Sequence, residues 1–157
     1  MKRFWVVLAL ACASCGYSAK PLVREGYRTV AIAIFENPTV RRAHEFDLTN
    51  AVTRMVHART PYRIASRDSA DLVLQGTILD YRTPALVEDR RDAVIESRVD
   101  ITLQVVLTDR AGKTVWQGSA VRGAQFSTRR GESEDSARAE AIESLALWVV
   151  TTLEEKW

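Results

Sequence analysis

Residues 95–108, IESRVDITLQVVLT, contain the clearest structural pattern of the chain. Apolar or small residues occupy alternate positions along it, and polar side chains fill most of the positions between. Alternation of this kind predicts a long strand with one buried face. Asp109-Arg110-Ala111-Gly112 then has the composition of a hairpin turn, and residues 113–126 return as the partner strand. The sequence therefore predicts a long antiparallel hairpin.

Further strands precede this hairpin. Residues 28–35, RTVAIAIF, are rich in β-forming apolar residues and predict a strand covered on both faces. Residues 70–81 alternate in polarity and predict another strand, in which Gly76 marks a bulge or a close packing contact. Residues 62–65 form a possible short strand, and residues 82–92 are interpreted as a polar connection.

Two segments have helical periodicity. In residues 45–59 the apolar positions recur three and four residues apart, which predicts an amphipathic helix that ends before Pro61. A second helix is predicted from about residue 134 to residue 155, with Ser133 as its N-cap and acidic residues in its first turn. The apolar stripe of each helix must be buried against another element.

The predicted order of elements is β-α-(β)-β-β-β-α. It indicates an α+β fold, a two-layer sandwich in which a mostly antiparallel sheet of four to five strands carries both helices on one face. Residues 28–157 would form this single domain.

The N-terminus has the pattern of a secretory signal. Met1-Lys2-Arg3 is basic, and residues 4–13 form an apolar run too short to span a membrane. Ala13-Ser14-Cys15 is similar to a bacterial lipoprotein cleavage site, although Cys12 stands where an aliphatic residue is usual. We therefore expect a signal peptide over residues 1–14, lipidation of Cys15 and a tether over residues 15–27. Cys12 is the alternative lipidation site.

The residue after Cys15 bears on the location of the protein. Gly16 stands where an Asp would usually retain a bacterial lipoprotein at the inner membrane. The resemblance therefore implies the periplasmic face of the outer membrane. Several acyl chains together hold a protein stably on a bilayer, because each buried methylene contributes about 0.8 kcal/mol.

The charge balance argues against a nucleic-acid partner. The chain has 22 Lys and Arg against 20 Asp and Glu, and the predicted signal peptide contains Lys2 and Arg3. The mature chain would therefore be formally neutral. Its cations are nearly all arginine, which binds phosphate in a bidentate manner, although an arginine-rich codon bias explains the same composition.

Motifs for catalysis, metals and cofactors are absent from the sequence. It contains no glycine-rich nucleotide fingerprint and no GxSxG nucleophile motif. The pair Cys12 and Cys15 lies in or beside the segment expected to be removed, and His44 and His57 do not form a zinc motif. We therefore expect no enzymatic activity, no metal and no cofactor.

Two arginine doublets remain as candidate binding residues. Arg90 and Arg91 precede the long strand, and Arg129 and Arg130 follow its hairpin partner. An antiparallel hairpin starts and finishes at one end of a sheet, so the two doublets should lie close together. Four guanidinium groups could bind a polyanion such as a phosphorylated glycolipid. The alternative is two solvated loops, one of them neutralised by neighbouring acidic residues.

The sequence resembles the lipopolysaccharide-assembly lipoproteins of the LptE type. The resemblance rests on Cys15-Gly16-Tyr17 followed by TVAIAIFENPT, ADLVLQGTILDYR, the long strand, DRAGKTVWQG and the final helix. It implies a two-layer α/β sandwich without enzymatic activity, which plugs an LptD-type β-barrel and helps to deliver lipopolysaccharide to the outer leaflet. Arg90 or Arg91 and Arg129 or Arg130 are, by position, the counterparts of basic residues implicated in lipopolysaccharide binding.

A second resemblance leaves alternatives open. VAIAIFENPT also looks like the strand and turn of lipoproteins that activate penicillin-binding proteins and of curli-secretion lipoproteins. The long hairpin followed directly by a C-terminal helix favours the assembly lipoprotein.

Overall fold

The computed structural model describes residues 26–39, 44–88 and 94–154. The elements in chain order are β1 (Thr29–Ile32), α1 (His44–Arg59), β2 (Arg63–Ile64), β3 (Leu72–Arg82), β4 (Ala85–Glu88), β5 (Val94–Asp109), β6 (Thr114–Ser127), a 3-10 turn (Thr128–Arg130) and α2 (Glu134–Glu154). Both predicted helices, the short strand at residues 62–65 and the long hairpin are confirmed. The predicted signal peptide and tether lie outside the described residues, except for Gly26 and Tyr27.

Within the described residues, the sheet is mixed and has six strands. β1 runs parallel to both β2 and β3, whereas β5 is antiparallel to β3, β4 and β6. The prediction of a mostly antiparallel sheet of four to five strands is therefore wrong. The reason is the crossover through α1, which carries the chain back to the end of the sheet where β1 began. A strand that follows such a crossover pairs in the parallel direction.

The sixth strand was missed because its segment is short and follows Pro84. Residues 85–88 form β4, which pairs with the start of β5 through two register shifts. β3 and β4 lie on one edge of β5, and β6 lies on the other, since β6 pairs with β5 along the whole length that β3 and β4 share. The interpretation of residues 82–92 as a polar connection is thus wrong for these four residues.

The core lies between the sheet and the two helices. One hydrophobic cluster contains the buried side chains of both helices together with alternate residues of β5. These β5 residues are the apolar positions of the alternating pattern: Val99, Ile101, Leu103, Val105 and Leu107. Both helices therefore pack on the same face of the sheet, as predicted. We call the opposite face the open face, because the described residues cover it only with a small cluster made of Ala31, Ala65, Ala70 and Val73.

After β1 the side chains no longer alternate between the two faces in the expected order, and this change determines where the open face becomes concave. Phe35 turns into the core with 2% of its surface exposed, and its backbone N–H donates to Thr49 Oγ1 of α1 at 3.0 Å. Gly76 makes this possible, because a Cβ there would lie 2.7 Å from the Phe35 ring. Close packing at Gly76 is thus confirmed. Ile34 is displaced to the opposite face and is 63% exposed.

Candidate functional site

The two predicted arginine loops leave the same end of the sheet. Ser127, the last residue of β6, pairs with Glu96 near the start of β5. Ser127 Oγ donates to the carbonyl oxygen of Ile95 at 3.2 Å, which holds the two strand ends together. Val94 pairs with Glu88, so the β4–β5 connection leaves from this end as well. We call it the arginine end. Arg90 and Arg91 lie outside the described residues.

Arg129 and Arg130 occupy different environments. The Nε and Nη2 atoms of Arg130 each donate to one oxygen of Glu132 at 3.0 Å, and its Nη1 lies 4.0 Å from Glu96 Oε1. Glu132 Oε2 also accepts the backbone N–H of Ser127 at 2.8 Å. Arg130 therefore stabilises the β6–α2 connection through its contacts with Glu132. Arg129 is exposed and has no ion pair among the described residues.

The pKa shifts agree with this division of roles. The hydrogen bond from Arg130, together with the backbone N–H of Ser127, holds the pKa of Glu132 below its usual value. The same contact with Glu132 raises the pKa of the Arg130 guanidinium. Both groups are solvent-exposed, so the pair stays charged and its two charges cancel locally.

Three other arginines near this end form ion pairs with carboxylates close in sequence: Arg82 with Asp80, Arg98 with Asp100 and Arg138 with Asp135. Arg122 of β6 instead donates to the carbonyl oxygen of Val121 and has no ion pair among the described residues. The described residues of the arginine end therefore do not form a continuous cationic surface. Within the described part of the chain, Arg129 is the cation of the predicted set that remains available to an anion.

The N-termini of both helices lie at the arginine end. His44, the first residue of α1, stacks on Tyr81 of β3 with ring centroids 5.1 Å apart. The Tyr81 hydroxyl donates to Glu134 Oε1 at the start of α2 at 3.0 Å. Ser133 caps α2 as predicted, because its Oγ accepts the Ser136 N–H at 3.2 Å. The positive ends of two helix dipoles thus meet there, a convergence that sequence reasoning missed.

The chain enters the described fold at the opposite end of the sheet, which we call the entry end. Asp71 Oδ2 accepts the backbone N–H of Arg28 at 2.9 Å, and the N–H and Oγ1 of Thr29 at 3.0 and 2.8 Å. These bonds, led by the one from Arg28, lower the pKa of Asp71. Arg110 adds a bond to the Ser69 carbonyl oxygen at 3.1 Å. Sequence reasoning did not identify Asp71, whose partners lie far away in the chain.

The length of β5 separates the two ends. β5 has 16 residues, so at about 3.3 Å per residue it extends roughly 50 Å. Cys12 and Cys15 lie outside the described residues.

The described residues were also searched for other kinds of site. No group of three or more His, Cys, Asp or Glu side chains among them is arranged to hold a metal ion. None of the helices in this part of the chain is both long enough and apolar enough to cross a bilayer.

Comparison with solved structures identifies relatives of the fold. A minor lipoprotein from Acinetobacter baumannii is 15% identical, covers 82% of this chain and 91% of its own, and has a TM-score of 0.56. Lipoprotein B from Nitrosomonas europaea is 10% identical, covers 87% of both chains and has a TM-score of 0.61. The PelC dodecamer from Paraburkholderia phytofirmans is 20% identical, covers 88% and 94%, and has a TM-score of 0.56. At these identities the likeness establishes the fold alone.

Sequence comparison identifies the family. No curated protein matches the chain. The family model for LptE, described as lipopolysaccharide-assembly, matches residues 27–152, from the entry end almost to the end of α2. This match confirms the resemblance inferred from the sequence, and it indicates a role in assembly rather than catalysis. The chain therefore belongs to the LptE lipopolysaccharide-assembly family.

Proposed function

We propose that the protein is a lipid-anchored partner of an LptD-type outer-membrane β-barrel, which it plugs while helping to deliver lipopolysaccharide to the outer leaflet. The observation that carries the proposal is family membership over residues 27–152. The separation of the entry end from the arginine end supports it. The described fold begins at the entry end, and Arg129 lies at the opposite end of the sheet.

The partner is tested by purification of the full chain from outer membranes. We expect a β-barrel of much larger mass to co-purify with it. Recovery of a penicillin-binding protein instead would favour a lipoprotein that activates such proteins. A ring-shaped homo-oligomer in detergent would favour a curli-type secretion lipoprotein. Either result would contradict the proposed partnership.

We propose Cys15 as the lipidated residue and the outer membrane as the destination. Cys15→Ala should release the protein from the membrane fraction, because the acyl chains that hold it there would be lost. Cys12→Ala is the matched control and should remain attached. Mass analysis of the mature N-terminus checks the assignment independently. If Cys12→Ala releases the protein and Cys15→Ala does not, Cys12 is the lipidation site.

We further propose that the arginine end contacts lipid phosphates, with Arg129 as the principal contact and Arg90, Arg91 and Arg130 as additional candidates. A guanidinium without an internal ion pair keeps its donors for a phosphate. Arg130 shares its donors with Glu132 and would have to give up part of that bond.

Arg129→Glu should weaken lipopolysaccharide binding about tenfold or more, since a hydrogen bond to a charged group contributes roughly 1.5–3 kcal/mol. Titration of the full chain with lipopolysaccharide in detergent measures the change in Kd. Lys113→Glu makes the same change of charge at the exposed β5–β6 turn of the entry end, and should leave the Kd unaltered. Equal Kd values for both variants would remove Arg129 from the binding site.

A further inference from the structure

The open face of the sheet contains a hollow of about 360 Å³, and no residue of either helix lines it. The outward displacement of Ile34 forms one wall, and the segment that contains Arg67 forms another. Strands β3 and β5 form the floor. Most of the side chains that line the hollow are polar: Glu36, Arg67, Gln75, Thr77 and Gln104. Three apolar residues complete the lining: Ala33, Ile34 and Val106. Its volume falls at the lower end of the roughly 300–1,000 Å³ typical of small-molecule sites.

The register of the sheet brings the polar side chains together. Thr77 of β3 pairs directly with Gln104 of β5, and Glu36 forms a bridge with Thr77 from the other side. Glu36, Thr77 and Gln104 thus stand in one row across three neighbouring chain segments. Directly opposed side chains in an antiparallel pair have Cβ atoms about 4.5–5.5 Å apart. Gln75 stands two residues before Thr77 and therefore faces the same way.

These polar side chains have no partners inside the described part of the chain. None of the five makes a side-chain hydrogen bond or ion pair there, whereas the ion pairs Arg82–Asp80 and Arg98–Asp100 occupy the same face nearer the arginine end. The two glutamines offer both donors and acceptors, and Thr77 offers a hydroxyl that does either. The hollow thus presents a set of uncommitted donors and acceptors.

The charges in the hollow define the ligand further. One carboxylate, Glu36, and one guanidinium, Arg67, leave it formally neutral. A phosphate or other polyanion would meet a single cation with a carboxylate in the same hollow. An aliphatic ligand would bury the amides of Gln75 and Gln104 without hydrogen-bond partners. Each polar group buried in this way costs roughly 1–3 kcal/mol. A neutral ligand rich in hydroxyl groups matches the neutral charge of the hollow and can also form hydrogen bonds with both amides.

We propose that this hollow binds a neutral saccharide ring, whose hydroxyl groups bond to Gln75, Thr77 and Gln104 and whose C–H surface packs on Ile34. The site is distinct from the arginine end, because Gln104 and Glu96 are roughly 25 Å apart along β5. It does not depend on Arg129 or on any phosphate. It adds saccharide recognition to a chain for which the proposed function assigns only phosphate contacts.

The experiment uses the full chain in detergent and an oligosaccharide obtained from lipopolysaccharide by removing its acyl chains and phosphates. In ¹H–¹⁵N spectra, this probe should shift the side-chain amide signals of Gln75 and Gln104. The combined variant Gln75→Ala with Gln104→Ala should weaken the Kd at least tenfold. Thr77→Val keeps the shape of the side chain, so it should weaken binding without disturbing the strand.

Gln117→Ala and Gln125→Ala are the matched controls, because they remove exposed amides from β6 outside the hollow. Both should bind the oligosaccharide as the unaltered protein does, and so should Arg129→Glu. Absence of any shift at millimolar oligosaccharide would overturn the inference, as would shifts confined to the arginine end. Unchanged binding by folded Thr77→Val and by the double glutamine variant would do the same. None of these results bears on the barrel partner or on phosphate binding.

Discussion

Phe35→Ala should lower the free energy of unfolding by about 3–5 kcal/mol, the usual cost of truncating a buried aromatic side chain. Phe35 is 2% exposed, and its ring fills the space above Gly76. Truncation would leave a cavity between β3 and α1, because Gly76 has no side chain of its own to fill it. Urea unfolding of the full chain, followed by circular dichroism, measures the difference.

Ile34→Ala is the control for this substitution, one residue away in the same strand extension. Ile34 is 63% exposed, so its truncation should change the free energy of unfolding by no more than about 0.5 kcal/mol. Equal losses for the two variants would show that Phe35 does not occupy the core position described.

Gly123→Ala should destabilise the protein by about 1–3 kcal/mol or more, although it adds a single methyl group to a strand. A Cβ at Gly123 would collide with the backbone carbonyl oxygen of Val99 and with a carboxylate oxygen of Asp100 on the neighbouring strand. The carbonyl belongs to the β5–β6 ladder and cannot rotate away as a side chain can. Thermal unfolding of the full chain, with the onset compared between variants, measures the loss.

Gly118→Ala provides the matched control, since it is the same change five positions earlier in β6. A Cβ at Gly118 would meet only the ring of Trp116, within 2.6 Å. That partly buried ring can shift by rotation about its side-chain bonds, so the loss should be clearly smaller than at Gly123. A larger loss at Gly118 would mean that the Trp116–Trp148 contact, with centroids 5.9 Å apart, tolerates less movement than the β5–β6 ladder.

The candidate site was only partly accessible to sequence reasoning. The end of the sheet where Arg129 and Arg130 lie follows from hairpin topology alone, because an antiparallel pair must begin and finish together. The different roles of the two arginines do not follow from hairpin topology. Arg130 is committed to Glu132 because the turn after β6 folds back, with Gly131 at a φ of 75° completing it. A doublet in a sequence contains no information about which guanidinium has a partner.

Most elements could be predicted from the sequence alone: the buried face of β5, the apolar stripe of α1, the extent of α2 and the hairpin between β5 and β6. These are local properties, because the periodicity of a strand or helix depends on residues only a few positions apart in the chain. The three-dimensional packing was needed for the parallel placement of β1 beside β3, the addition of β4, the lack of an ion pair at Arg129 among the described residues and the hollow beside Thr77. Each of these depends on residues distant in the chain, such as Thr29 and Asp71, 42 positions apart. Contacts at that separation are set by how the layers pack together, which no local pattern records.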